Sequence, residues 1–256
     1  MLTQIREEQL AILRYFIQIC EDNGLTYYLD GGTLAGSQLY KGYLPLDDDI
    51  DISMPRSDYE TLIKVVSLEH DSTFIVESFR NNYSCHVTFA KIKKRNTSYW
   101  EVTTKRMTEN FIDIFPLDQV KRREGLKWIL RVAFIQNLKG LLFLRQINKD
   151  IRFSKKMMLY STYFIPSLVI HKILYYLMTY QNGKDARFVA NFPGMVRSEE
   201  RASKYEDYFP QIKTTFCEIQ VNVPRNSKQI LIDIYGDHVQ QYVQVKHFEV
   251  KRNSSI

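Results

Sequence analysis

The chain has 256 residues, 45% of them hydrophobic, with only 10 Gly and 7 Pro; it can bury a full core, and disorder is not expected outside the last few residues, Lys251 to Ile256. Its three cysteines, Cys20, Cys85 and Cys217, are scattered and odd in number, which fits neither a disulfide framework nor a zinc site and points to a reducing compartment. The net charge of +6 would suit nucleic acid, but the nine Lys and Arg against two acids between Glu124 and Tyr180 lie among large apolar residues, a basic and greasy pattern that argues against a nucleic-acid partner.

The opening MLTQIREEQLAIL has two glutamates before any long apolar run and does not read as a signal peptide, so a cytoplasmic protein is expected. Apolar positions from Ile5 to Cys20 recur at helical spacing and predict an amphipathic helix over residues 2–22, stopped by Asn23-Gly24. A short strand, 26–29, leads into Asp30, Gly31, Gly32 and Thr33, then a brief helix and a loop through Lys41, Gly42 and Pro45. From Asp49 acidic and β-branched residues alternate, a strand that Pro55 ends; Ser57 with Glu60 predicts a capping box for a helix to about Leu68. Further strands are expected at 73–78, 86–93 and 110–115, helix from Gly125 to Tyr180 with breaks near Ser154 and Pro166, one late strand at 216–223, a helix at 227–235 and a disordered tail from Lys251. No regular βαβ rhythm runs through this order, so the fold expected is mixed α/β (α+β), a sheet flanked by helices. The division expected is a catalytic core over 1–123, a basic apolar helical annex over 124–200 and a completing strand and helix over 201–256.

The informative segment is Leu46-Asp47-Asp48-Asp49-Ile50-Asp51-Ile52. Two carboxylates about 4 Å apart repel by roughly 4 kcal/mol at an effective dielectric near 20. In a buried strand a cation must offset that. Side chains two apart on a strand share a face, so Asp49 and Asp51 point together, a pair suited to a hard cation, Mg²⁺ first and Mn²⁺ next. A second strand, Phe111-Ile112-Asp113-Ile114-Phe115, holds one acid in an apolar run; set beside the first it would make a three-carboxylate site for displacement at phosphorus. The plainer alternatives are a solvated turn for Asp47 and Asp48 and a lysine partner for Asp113. Gly31-Gly32-Thr33, between a strand and a helix, offers backbone N–H groups to phosphate oxygens, although a double glycine alone is more often only a turn.

The run YYLDGGTLAGSQLYKGYLPLDDDIDISMPRSDYE, followed in order by FAKIKKRNT, FIDIFPLD and VPRNSKQILIDIYGD, resembles the LicD family of phosphocholine and alcohol-phosphate transferases within the nucleotidyltransferase superfamily. The resemblance covers about residues 10–120 and 215–237. It implies Mg²⁺-dependent transfer of an alcohol phosphate from a CDP-alcohol donor to a sugar hydroxyl of a glycan or lipid-linked oligosaccharide, with release of CMP. It implies Asp49, Asp51 and Asp113 as metal ligands, Gly32 and Thr33 as the donor-phosphate turn and Lys91 as a phosphate partner. The chain departs from the family at Leu39, Tyr40 and Leu46, where Arg-His and Trp are usual; the missing arginine would clamp phosphate, and Lys41 replaces only its charge.

Two readings stand for the annex: helices lying on an anionic membrane surface at the inner face of the cytoplasmic membrane, or a helical pack on the core. The uncharged run from Met157 to about Ile170 contains Pro166 and is too short to span a bilayer. The competing functions are a D-x-D glycosyltransferase, which has no use for Asp113, and a non-catalytic membrane-associated relative, which predicts no metal binding.

Overall fold

The computed structural model describes residues 2–45, 47–69, 73–82, 85, 87–101, 106–121, 124–146, 164–195 and 202–236. The expected breaks at Ser154, the residue Leu46 and the tail from Lys251 lie outside these. The fold is mixed α/β. Helix α1 (Leu2–Asp22) leads through strand β1 (Tyr28–Leu29) and helix α2 (Gly31–Leu39) to β2 (Asp51–Pro55) and α3 (Arg56–Leu68). Strands β3 (Phe74–Glu77), β4 (Ala90–Lys94), β5 (Tyr99–Glu101), β6 (Arg106–Thr108) and β7 (Phe111–Val120) follow, then helices α4 (Leu126–Gln146) and α5 (Ser167–Thr179). The chain closes with β8 (Phe188–Ala190), β9 (Ser203–Lys204), α6 (Tyr205–Tyr208), β10 (Ile212–Phe216), β11 (Ile219–Val223) and α7 (Ser227–Tyr235).

The main sheet runs β1-β2-β7-β4-β3, with β8 and β9 added along the far half of β7. The β2–β7 pair is parallel and its neighbours are antiparallel. Alternation along the strands gives the sheet two different faces. One carries Ile52, Met54, Ile92, Ile112 and Ile114, all fully buried with Phe16 of α1 and Tyr59 and Leu62 of α3. Each such side chain contributes roughly 1.5–3 kcal/mol by leaving water, which fixes the register of β2 and β7 because a one-residue slip would turn the isoleucines out. The other face, carrying Asp51, Asp113 and Lys91, is thereby held in place.

A second apolar cluster joins Val120, Trp128, Val132, Ile135, Ile170, Leu174, Met178 and Phe192 beneath α4 and α5. It meets the main body at a polar seam. Arg56 donates Nε and Nη2 to the two carboxylate oxygens of the fully buried Asp118, at 2.9 and 2.6 Å, and Asn182 donates to the same carboxylate at 2.7 Å. His171 stacks on Phe79 and hydrogen-bonds through Nε2 to the Cys85 carbonyl at 2.8 Å.

Several local expectations are corrected. The Ser57–Glu60 capping box does not form: Pro55, with φ of −49°, leads directly from β2 into α3, Ser57 Oγ turns to Asp58, and Glu60 goes to Arg56 and Arg80. The late strand is a hairpin, β10–β11, turning at Cys217 and Glu218 with positive φ at both; with neither Gly nor Asn there, no turn signal was visible. The strand expected at 110–115 runs on to Val120, and that at 86–93 begins only at Ala90.

Candidate active site

The carboxylates come together through strand register. Asp51 of β2 lies opposite Asp113 of β7, and Asp113 lies opposite Lys91 of β4. Neighbouring strands are about 4.8 Å apart, so acid, acid and amine form a row across one face of the sheet. Asp49 lies just before β2 rather than within it, yet close enough for its charge to act on both Asp51 and Asp113.

The loop that carries the acids is held from α1. Arg6 donates through Nη2 to the carbonyls of Leu44, Pro45 and Asp47 at 2.8–3.1 Å and through Nε to Asp47 at 3.1 Å. Gln9 donates to the Asp48 carbonyl at 2.6 Å, and Tyr99 to the Asp48 carboxylate at 2.9 Å. Asp48 is therefore tied down by the β5–β6 hairpin, not left as a solvated turn.

The start of α2 faces the same place. Asp30 caps the helix by accepting from the Gly31 N–H at 2.9 Å, and its other oxygen accepts from Asn191 at 2.9 Å. A Cβ on Gly31 would stand 2.9 Å from Asp51 Oδ2, and one on Gly32 would stand 2.7 Å from Asp47 Oδ2. The two glycines thus let the acidic loop and β2 approach the helix N-terminus, and Gly31 also needs its φ of +51°. Thr33 is buried, and its hydroxyl accepts from the Asp51 N–H at 2.9 Å, locking α2 to β2.

The other two sequence candidates part company. Lys91 is buried within the site, 3.3 Å from Asp113 Oδ1, 3.0 Å from Glu101 Oε1 and 3.4 Å above the Phe111 ring. It is the lysine partner weighed for Asp113. Lys41 lies exposed beyond the C-terminal end of α2, the opposite end of a nine-residue helix roughly 13 Å long from Gly31.

The electrostatics are lopsided. Burial raises the Asp51 carboxyl well above the ordinary range, and the charges of Asp49, Asp113, Asp30 and Asp47 push it further. Asp113 is pushed up to about 6, by burial first; Lys91 pulls it down and Asp49 and Glu101 push it up. Asp30 is raised by burial against its hydrogen bonds from Gly31, Asn191 and Ser53. Acids held this far from their ordinary state mark a place that a cation would relieve. The residues fit a hard divalent ion in charge and in oxygen chemistry, with the Lys91 ammonium 3.3 Å from Asp113 Oδ1. Among the described residues, no three Asp, Glu, His or Cys side chains are grouped into a finished cage.

Residues 24–138 match the family described as LicD/FKTN/FKRP, nucleotidyltransferase domain. This chain carries a LicD family domain. The match spans α2, the acidic loop, β2 and β7, and so every site residue named above except Arg6, Gln9 and Asn191. The chain is also 27% identical, over 92% of its own length and 91% of the relative's, to the lipopolysaccharide cholinephosphotransferase LicD of Haemophilus influenzae (strain ATCC 51907 / DSM 11121 / KW20 / Rd). That similarity extends through the second cluster and the C-terminal hairpin. Sequence reasoning missed Asp30, Glu101, Arg6 and Asn191; only Asp30, next to the double glycine, had a local signal.

Proposed function

We propose that this LicD-type chain is a phosphotransferase that moves an alcohol phosphate, phosphocholine first, from a CDP-alcohol to a sugar hydroxyl of a cell-surface glycan, releasing CMP. The observation that carries the proposal is the in-register pair Asp51–Asp113 on one sheet face, beside the glycine-lined start of α2. The relative's action on lipopolysaccharide supports the glycan acceptor and the choline.

Asp49, Asp51 and Asp113 would hold Mg²⁺, which when bound neutralises phosphate oxygens and favours ionisation of the attacking hydroxyl. The chain's own residues do the rest. The N–H groups of Gly32 and Thr33 at the start of α2, next to the Asp30-capped Gly31, would face the donor phosphates. Asp30 and Thr33 keep that helix end against β2, so phosphate and carboxylates stay in fixed relation. Lys91 balances the charge of Asp113 and Glu101 and keeps Asp113 from drifting towards the protonated form at neutral pH. A glycosyltransferase acting through D-x-D alone would leave Asp113 without work.

The test is CMP release from CDP-choline, CDP-ribitol and CDP-glycerol by the purified full chain with lipopolysaccharide and Mg²⁺, read by chromatography. Turnover is expected with one of the three donors. It should stop with chelator and fall about a thousand-fold in Asp49→Asn and in Asp51→Asn, several kcal/mol of transition-state stabilisation. Unchanged turnover in both variants, or transfer from a nucleotide sugar instead, rules the proposal out.

A further inference from the structure

The annex helices are apolar on two sides. Trp128, Val132 and Ile135 of α4 and Ile170, Leu174 and Met178 of α5 fill the second core. On the opposite side, Leu126, Leu130 and Phe134 are 72%, 59% and 52% exposed, and Ile173, Tyr176 and Tyr180 are 39%, 66% and 37% exposed. Each set repeats at helical spacing, so each makes a stripe along its helix. The stripes adjoin. Arg131, next in sequence to Leu130, donates to the carbonyls of Leu177 and Met178 and lies 4.4 Å over the Tyr180 ring, joining the outer edge of α4 to that of α5. Two neighbouring apolar stripes of this kind mark a contact with something less polar than water.

We propose that this outer face of the α4–α5 pair docks on an anionic lipid surface. Charge chooses among occupants. Among the described residues, the exposed ionisable side chains of the two helices and their flanks are Lys121, Lys127, Lys172, Lys184 and Arg187 against Glu124 and Asp185. A second copy would bring the same positive excess to the same face, whereas lipid headgroups bring the opposite charge. Helices with apolar stripes and basic margins settle in the plane of a bilayer, with tyrosines at headgroup depth. No helix among the described residues is long and apolar enough to cross a membrane, so the docking is lateral. The inference does not rest on the transfer reaction.

The full chain is sedimented with vesicles of phosphatidylglycerol mixed with phosphatidylcholine and with vesicles of phosphatidylcholine alone, at low and high salt. Binding is expected on the anionic vesicles only, weakening with salt. At about fivefold per lysine, Lys127→Ala/Lys172→Ala should bind about twenty-five-fold more weakly. Leu130→Glu/Phe134→Glu and, separately, Ile173→Glu/Tyr176→Glu should lose vesicle binding while keeping the parent's circular dichroism and melting curve; the second pair decides if the first fails to fold. The proposal is overturned if the parent ignores anionic vesicles, if the glutamate variants bind as the parent does, or if the stripe instead holds a dimer that these variants dissolve in the absence of lipid.

Discussion

Two buried polar places in this molecule handle charge in opposite ways. At the seam between sheet and annex, the carboxylate of Asp118 receives both arms of Arg56 and the amide of Asn182. At the head of β2 and β7, Asp49, Asp113, Asp30 and Asp47 all lie within reach of the Asp51 charge, and Lys91 pairs with Asp113 and Glu101. The first place is complete and serves the fold. In the second, burial and neighbouring acids raise the Asp51 carboxyl, and the isoleucines behind the same strands pin it in place. A buried ion pair of matched charge serves the structure, whereas acids that raise one another's pKa are the kind of grouping found at functional sites.

That contrast can be broken by substitution. Arg56→Ala leaves Asp118 buried without its cationic partner and should cost about 3–5 kcal/mol of unfolding free energy in a urea titration; a loss below about 1 kcal/mol would mean the seam is not the closed place described. Asn191→Ala removes a donor from the buried Asp30 and should cost about 1–3 kcal/mol. It should also lower turnover, since Asn191 is the annex's direct hold on the α2 N-terminus; wild-type kinetics in a destabilised variant would separate annex from site. Asp51→Asn has the opposite sign for stability. Removing a charge that its neighbours disfavour should raise stability by about 1 kcal/mol in metal-free buffer, measured by thermal melting, although turnover is lost.

Acid should move the two places in contrary directions. The Asp113 carboxyl, raised to about 6 from 3.8, contributes stability that is complete below pH 3.8 and is lost as pH rises through about 6. His171 is lowered from 6.5 by burial, against the pull of its bond to the Cys85 carbonyl. Its contribution is complete above pH 6.5 and is lost as pH falls through its folded value. Unfolding curves between about pH 5 and 7 should therefore differ between the parent and His171→Phe, the parent losing up to about 1.4 kcal/mol per pH unit relative to the variant on acidification. Parallel profiles would show that the seam takes no part in the response.

Much of the candidate site's strand placement was legible before any coordinates. The alternation around Asp51 and Asp113, with β-branched residues between acids, names two strands and the face each acid takes, and Gly31-Gly32 after a short strand names a turn that admits close approach. These are short-range signals, and they survive because a buried carboxylate is costly enough to stand out in an apolar run. Lys91 shows where such reading stops. Its position in β4 is visible locally, but its engagement with Asp113, twenty-two residues away, follows from strand register. The hairpin at Cys217-Glu218 was hidden for another reason, since its positive φ falls on residues that carry no turn preference.

The sequence by itself determined the chemistry of the parts: which strands bear carboxylates, which helix is amphipathic, and that the middle of the chain is both basic and apolar. Tertiary structure alone decided their partners: Asp51 beside Asp113, Asn191 on an acid 161 residues away, Arg56 on Asp118, and which apolar stripes of α4 and α5 are covered. The physical reason is one of range. Periodicity and charge density are properties of a few consecutive residues, whereas neutralisation and burial are properties of neighbours in space, and those are set only when the isoleucine-lined faces of β2, β4 and β7 choose a common register against α1 and α3.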